Sequence, residues 1–287
     1  MIITDNMIIT DNHMHLDPQG LGIEAAKKFQ RAGGTHLFII YKYAEDYGIN
    51  VKNEKDFERA YDIVIKMCKR VNERTDLKAY CIIGIHPAEV VELYKKYGEK
   101  KTWDLCTKTF DIIAEKYVEK EIVGIGEIGR PHFPVSDEIM EFSQKVMNEG
   151  LKLSRELNCA VQLHLESFEN REKFYELEKT VKRYGKKERV IKHFAPPEIK
   201  IFEEIEIMPS VIASENNIRK AIKEGNRFLM ETDYIDDLKR PGAVMGPKTV
   251  PRTTLKLLRA GVLDEEDIFR IHKENIEKVY GIDLNKP

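Results

Sequence analysis

The chain has no long apolar run. Nothing in it approaches the ~20 consecutive apolar residues that a membrane-spanning helix needs, and no charged segment followed by a hydrophobic one opens it, as a secretion signal would. Cysteine is sparse and scattered. Cys68, Cys81, Cys106 and Cys159 form no Cys-x-x-Cys pair, which excludes a zinc knuckle or a disulfide frame and reads as ordinary thiols of a reducing compartment. Net charge is nearly absent too. With 47 Lys and Arg against 49 Asp and Glu, the balance is −2, so this is no broadly basic protein that coats nucleic acid, although a local cationic pocket stays open. No linker or low-complexity tract marks a second domain. These absences predict one domain over residues 1–287, a cytoplasmic location, no membrane association and no obligate protein partner. The segment MIITDN occurs twice, at 1–6 and 7–12, and only the second copy leads into His13 and His15. Residues 1–6 are therefore expected to be a dispensable duplicated start.

What is present is alternation. Eight short runs rich in Val and Ile read as strands buried on both faces: 7–13, 35–42, 77–86, 121–128, 159–165, 189–194, 205–213 and 227–232. Helix-length segments separate them, including 22–33, 55–73, 103–118, 136–158, 170–185, 196–204 and 214–225. Ser136 and Ser214 stand where N-caps belong, and Gly33, Gly185 and Gly225 where helices stop. Further helices follow at 253–261 and 264–281. Eight strands in strict alternation with helices predict an α/β fold, a (β/α)8 TIM barrel with extra C-terminal helices, more than an open sheet.

Six chemistry-bearing residues recur at the ends of these runs: His13, His15, Glu127, His164, His193 and Asp233. In a parallel barrel all strand C-termini meet at one face, where active sites are built. Imidazoles and carboxylates converging there are the residue types that hold divalent metal ions. Each residue alone has a plainer reading. The His-Met-His pair could be two polar residues near a chain end, Glu127 could pair with Arg130, and His164 or His193 could be a structural histidine with one hydrogen bond. Together they favour ligation. His13 and His15 alternate on one strand and so share a face. Glu127 sits in Gly-Ile-Gly-Glu-Ile-Gly, which is no dinucleotide loop because Pro131 and His132 follow instead of a helix. Gln162 shares the face of His164 one layer deeper, and Glu231 that of Asp233. Asp233 can serve as ligand and as proton acceptor for an attacking water. His86, in Gly-Ile-His-Pro, is expected behind the ligands or against substrate, and His132 within reach of the site. His36 begins a strand and belongs at the opposite face. His272, on the last helix, is expected to face solvent.

The order His-x-His, Gly-Ile-His-Pro, Gly-Glu-Ile-Gly, strand-end His, strand-end His, Glu-Thr-Asp resembles the TatD-like metal-dependent hydrolases of the amidohydrolase superfamily, over residues 7 to about 281. Asn275 through Tyr280 are similar to that family's C-terminal Asn-x-x-x-x-aromatic helix. The resemblance implies a TIM barrel with two divalent cations. His13, His15 and Asp233 would match the ligands of the first and His164 and His193 those of the second, with Glu127 as the carboxylate shared between them. Mixed nitrogen and oxygen donors suit Zn, Mn, Fe, Co or Ni, with Mg a further candidate. Two segments depart from the family pattern. Arg130-Pro131-His132 stands where Leu-Asp is common, and Tyr234-Ile235-Asp236-Asp237 where a small residue and Pro are common.

These departures fall on the rim that meets substrate. Arg130, His132, Tyr234 and His86 are the candidate substrate contacts, with Lys239, Arg240, Lys248 and Arg252 a candidate cationic rim. Tyr41, Tyr43, Tyr47, Phe133 and Tyr234 are the aromatics available for base stacking. The leading expectation is a phosphodiesterase or deoxyribonuclease acting on nucleic-acid ends with a metal-activated water, Glu127 and Asp233 carrying the chemistry. The alternative is a hydrolase of a small phosphate, amide, ester or lactone substrate, and a minor one is a non-catalytic metal-binding scaffold. A cationic rim and open groove would favour the first, a closed apolar pocket the second.

Overall fold

The computed structural model describes residues 7–240 and 244–285. The first MIITDN copy lies outside the described residues, as do positions 241–243 of the loop after the eighth strand.

Strands and helices alternate as the pattern predicts: β1 (Thr10–His15), α1 (Ile23–Arg31), β2 (His36–Ile40), α2 (Glu54–Arg74), β3 (Lys78–Ile83), α3 (Pro87–Val118), β4 (Gly124–Gly129) and α4 (Asp137–Leu157). Then come β5 (Ala160–His164), α5 (Arg171–Tyr184), β6 (Val190–Ala195), α6 (Ile199–Glu204), β7 (Met208–Ile212), α7 (Glu215–Ala221) and β8 (Leu229–Glu231). The strands pair in sequence order, all parallel. This is the TIM-barrel arrangement. Two residues form a ninth strand the sequence reading did not separate, β9 (Tyr234–Ile235), which pairs with β1 through Met14 and His15. It continues the line of β8 after an interruption. There the Asp11 carboxylate takes both the Thr232 N–H (3.1 Å) and hydroxyl (2.7 Å), and Asp233 turns to a left-handed φ of 47°.

The helices start where side chains can satisfy their first N–H groups. Ser136 and Ser214 accept from Ile139 and Asn217, and Asn53 forms a capping box with Asp56. Helix α3 begins at Pro87, well before the predicted residue 103. Its missing N–H costs nothing at a first turn, the His86 ring caps it by accepting from Ala88 N at 3.1 Å, and the run breaks at Gly98 (φ 75°).

One apolar layer lies between helices and sheet, with Phe29, Val64, Ile113 and Leu151 against Leu37, Ile39, Ile125 and Leu163. A second fills the barrel interior: Phe38, Ile40, Ile82, Ala160, Ile191 and Leu229. Each fully buried side chain of this size contributes roughly 1.5–3 kcal/mol. After α8 (Thr249–Arg259) and α9 (Glu265–Phe269), helix α10 (Asn275–Tyr280) packs Ile276, Val279 and Tyr280 onto that interior cluster. Asn275 ties it there by donating to the carbonyls of Asn226 and Phe228. His36 starts β2 at this end and reaches the Leu284 carbonyl at 3.1 Å. His272 corrects the expectation of exposure. It is fully buried, with Nδ1 accepting from Thr10 N (3.2 Å) and Nε2 2.9 Å from the Thr254 hydroxyl, and burial lowers its pKa to about 4. Among the described residues no helix is long and apolar enough to cross a membrane.

Candidate metal centre

Three strands depart from regular register, each beside a site residue. From Asp11 to Met14 β1 takes three steps against two on β2, from Leu37 to Ile39. The same three-against-two mismatch separates β4 (Ile125 to Ile128) from β5, and β6 (Lys192 to Ala195) from β7. An extra residue re-aims a side chain out of strict alternation, and the residues so bracketed include His13, Glu127 and His193. Beyond Glu127, Gly129 has φ +154°, and a Cβ there would lie 1.8 Å from the His164 carbonyl oxygen. Only glycine lets β4 and β5 approach so closely.

The six predicted residues converge. Glu127 is the hub: Oε1 lies 3.1 Å from His164 Nδ1, 3.1 Å from His193 Nε2 and 3.6 Å from His13 Nε2. Its Oε2 lies 3.4 Å from His86 Nε2 and 4.0 Å from His15 Nε2. Asp233 Oδ1 closes the other side, 3.8 Å from His13 Nε2 and 3.6 Å from His15 Nε2. His13, His15 and Glu127 form one group of donors compact enough for a cation, and His13, His193 and Asp233 another.

The far edges of the rings show which nitrogens are free for a ligand. His13 Nδ1 meets Gln162 Oε1 at 2.5 Å. Gln162 spends its NH2 on the Asn12 carbonyl and the Tyr280 hydroxyl, so its oxygen is the acceptor and His13 carries its proton on Nδ1. His15 Nδ1 lies 3.0 Å from the Ile40 carbonyl, which can only accept. His193 Nδ1 lies 2.9 Å from Glu231 Oε1, close but off a hydrogen-bond line. His13 and His15 thus rest Nδ1 on an acceptor and turn Nε2 to the centre, the two nitrogens 3.1 Å apart, the arrangement of metal-binding histidines, and His193 turns its Nε2 the same way, 3.1 Å from Glu127 Oε1. His86 is reversed. His86, Glu127 and His164 also form a compact donor group, but His86 Nδ1 accepts the Ala88 N–H, so Nε2 bears the proton and donates toward Glu127. Its Nε2 thus faces the Glu127 carboxylate, 3.4 Å away, with a proton and not with the lone pair a ligand needs.

The charge states agree. Burial, reinforced by neighbouring His193, holds His13 well below the ordinary histidine range, and burial does the same for His86. Burial would raise Glu127, but His193, His13, His164 and His86 outweigh it and hold the carboxyl well below its usual range. Asp233 is likewise lowered against its burial, chiefly by His15 and His193. Burial would lower His193, yet Glu231 and Glu127 push it up to about 9. A protonated His193 then serves as the positive charge between two carboxylates. Imidazole nitrogens gathered around the ionised carboxylates of Glu127 and Asp233, with the His193 proton standing where a cation would serve, fit a divalent metal.

The centre opens into a cavity of about 610 Å³ lined by Lys42, Tyr43, His132, Phe133, Phe194 and Arg240 among others. His132 is placed at the site, with Nδ1 2.7 Å from His164 Nε2. Phe194, at φ 49°, leaves its ring half exposed at the mouth, its N–H held by Glu231 at 2.8 Å. Two expected substrate contacts are corrected. Arg130 is absent from the wall, because its guanidinium grips Glu166 at 2.6 and 3.1 Å and Gln144 at 2.9 Å. It does not pair with Glu127 either. Tyr234 is buried with its hydroxyl on Asp236 at 2.9 Å, and Ile235 faces the cavity in its place. Tyr41 and Tyr47 are buried too. Of the predicted cationic rim only Arg240 lines the cavity among the described residues, paired with Asp237 at 2.9 Å. Sequence reasoning missed Lys42, held by Asp17 (2.9 Å) and Asp46 (3.6 Å), and Asp236, which accepts from the N–H groups of Asp17, Leu21 and Gly22. Lys42 ends the 35–42 run, two residues past β2, where rim residues belong, and that position was a usable signal. Asp236 had none, since three of its four donors are backbone groups over 200 positions away.

Comparison with known proteins agrees with this frame. The model of a family described as TatD related DNase matches residues 10–281. An uncharacterized protein of Methanocaldococcus jannaschii is 39% identical over 289 residues, covering 99% of each chain. The solved structure of a TatD homologue from Escherichia coli superposes with TM-score 0.63 at 18% identity, covering 96% of this chain and 98% of that one. A TatD-like protein from Archaeoglobus fulgidus gives TM-score 0.59 at 15% identity, over 95% and 100% of the two chains. With barrel, strand-end donors and full-length match in agreement, the chain belongs to the TatD family of metal-dependent hydrolases.

Proposed function

We propose that this chain is a divalent-cation-dependent phosphodiesterase that acts on nucleic-acid ends. The observation that carries the reading is the placement of Glu127 among the imidazoles of His13, His164, His193 and His86, with Asp233 beside the cavity. Two cations would be held by His13, His15 and Asp233 and by His164 and His193, with Glu127 common to both. Bound there, they supply Lewis acidity and bring a coordinated water's pKa toward neutrality.

The chain's own groups divide the remaining work. The Glu127 side chain is 3% exposed and that of Asp233 13%, so Asp233 is the carboxylate that can reach a water and take its proton. His86 Nε2 faces the second oxygen of Glu127 at 3.4 Å. A cavity near 610 Å³ falls in the small-ligand range of roughly 300–1,000 Å³, which suits a terminal nucleotide and not a duplex. Tyr43, Phe133 and Phe194 offer faces for a base, and Lys42 and Arg240 offer charge for a phosphate.

A second reading has its own support. Lys42 and Arg240 are already paired with carboxylates, while Leu165, Ile235 and Val244 make part of the wall apolar. That wall would equally suit a small ester, amide or lactone. The deciding experiment incubates protein loaded with Mn or Zn with short single- and double-stranded DNA and RNA and, separately, with a panel of small esters and lactones. Glu127→Ala and Asp233→Asn serve as controls. Metal-dependent release of nucleotides from ends, lost in both variants, supports the first reading. Turnover of small substrates alone moves the assignment to the second.

A further inference from the structure

Three of the four candidate metal-binding imidazoles present Nε2 to the centre: His13 and His15 rest Nδ1 on Gln162 and on the Ile40 carbonyl, and His193 Nδ1 lies 2.9 Å from the Glu231 carboxylate, off a hydrogen-bond line. His164 is turned the other way. Its Nδ1 faces Glu127 at 3.1 Å, and its Nε2 faces His132 Nδ1 at 2.7 Å. With no cation between them, two ring nitrogens at that distance pair as one donor and one acceptor.

Without a cation, the Glu127 carboxylate can only accept, which puts a proton on His164 Nδ1. The Nε2 of a neutral ring is then an acceptor, and His132 donates to it. A cation at Glu127 and His164 needs the Nδ1 lone pair. The ring proton must then sit on Nε2, and the hydrogen bond to His132 survives only if it reverses, with His132 Nδ1 accepting. A neutral imidazole can do either, unlike the side chains that orient His13 and His193.

We propose that His132 is the positioning residue for His164 in the second cation site, where it accepts the His164 Nε2–H and fixes the ring in its ligating tautomer. The proposal rests on the two-cation reading above. His132 belongs to the Arg130-Pro131-His132 segment. Pro131 is buried and Arg130 is clamped by Glu166 and Gln144, so the loop carrying His132 leaves β4 along a fixed path.

Partners that orient a metal-binding histidine typically change metal affinity by about 10- to 100-fold. The test is a zinc titration of metal-free protein against a chromophoric chelator, for wild type, His132→Ala and His132→Gln. Nitrogen-detected NMR of histidine-labelled, zinc-loaded samples accompanies it. Wild type should bind two zinc ions, with the His164 ring in the Nε2–H form and His13, His15 and His193 in the Nδ1–H form. His132→Ala should weaken one of the two ions by about 10- to 100-fold and leave the other within a few-fold. His132→Gln should restore most of the loss, because its amide oxygen also accepts. Unchanged affinity for both ions in His132→Ala overturns the proposal. Complete loss of one ion, not rescued by Gln, also overturns it and makes His132 a direct ligand. Wild type that binds one zinc tightly with His132→Ala inert refutes the positioning role, whereas wild type that binds none refutes the cation reading itself.

Discussion

The side-chain oxygen of Gln162 on β5 lies 2.5 Å from Nδ1 of His13 on β1, on the opposite side of the barrel. Behind it, Tyr280 of α10 accepts from Gln162 at 2.7 Å and donates to Asn12 at 2.8 Å. The plug helix is thus wired to the imidazole at the heart of the site. Gln162→Leu keeps the volume and removes the acceptor. It should weaken binding of one cation by about 10- to 100-fold, read by chelator competition. An unchanged affinity would show that the barrel wall alone orients His13.

Asp233 is assigned the proton because, of the two carboxylates at the centre, its side chain is the more exposed, 13% against 3% for Glu127. Asp233→Asn keeps the shape and an oxygen donor but cannot accept a proton. It should retain substantial metal while turnover falls by about 10²- to 10⁴-fold. Metal content and kcat measured on the same preparation separate the two effects. Full activity with full metal would remove Asp233 from the chemistry.

Glu89 offers a pH test away from the ligands. It is buried at the start of α3, where it accepts from Ala44 N at 3.0 Å and from Tyr41 at 3.0 Å, and burial raises its pKa from 4.5 to about 8. The folded state holds a proton that the unfolded state releases. Its contribution is therefore present below pH 4.5 and is lost as pH rises through about 8, at ~1.4 kcal/mol per unit while the two states differ. Glu89→Gln abolishes that loss. Its Tm advantage over wild type should grow between pH 5 and 8 and then level off, in melts run across that range. Parallel curves would show that Glu89 ionises freely in the fold.

Asp236 is a single carboxylate that takes four donors: Asp17, Leu21 and Gly22 N–H at 3.1, 2.8 and 2.7 Å, and the Tyr234 hydroxyl at 2.9 Å. The fit is tight enough that a Cβ on Gly20 would meet the carboxylate at 2.5 Å. Asp236→Ala strands these donors and should cost on the order of 3 kcal/mol, lowering Tm by several degrees and opening the 17–22 loop to proteases. Because Asp17 grips Lys42 from that loop, KM should rise more than kcat falls. Melting and loop proteolysis like wild type would mean the loop is held from elsewhere.

The barrel and its centre were legible because they rest on short-range rules. Period and length separate strand from helix, and every strand end of a parallel barrel points to one face. Helix α3 outran its predicted start because a histidine ring acts as its cap, a role no composition rule assigns. The exposure expected of His272 failed because the last turns of the chain pack onto β1, as Thr10 shows. The rim was the least legible part. Arg130 and Tyr234 stand at rim positions in the sequence, but Glu166 and Asp236 claim them. Whether a polar side chain faces substrate depends on what else can reach it.

By itself the sequence determined the alternation, the eight strands and the six donors, since these follow from local periodicity and from where each strand ends. Tertiary structure alone decided the extra residues in β1, β4 and β6, the direction of each imidazole, and which charges at the mouth are already paired. Those depend on atoms brought within 3–4 Å from positions as far apart as Asp17 and Asp236, and no local pattern encodes such a meeting.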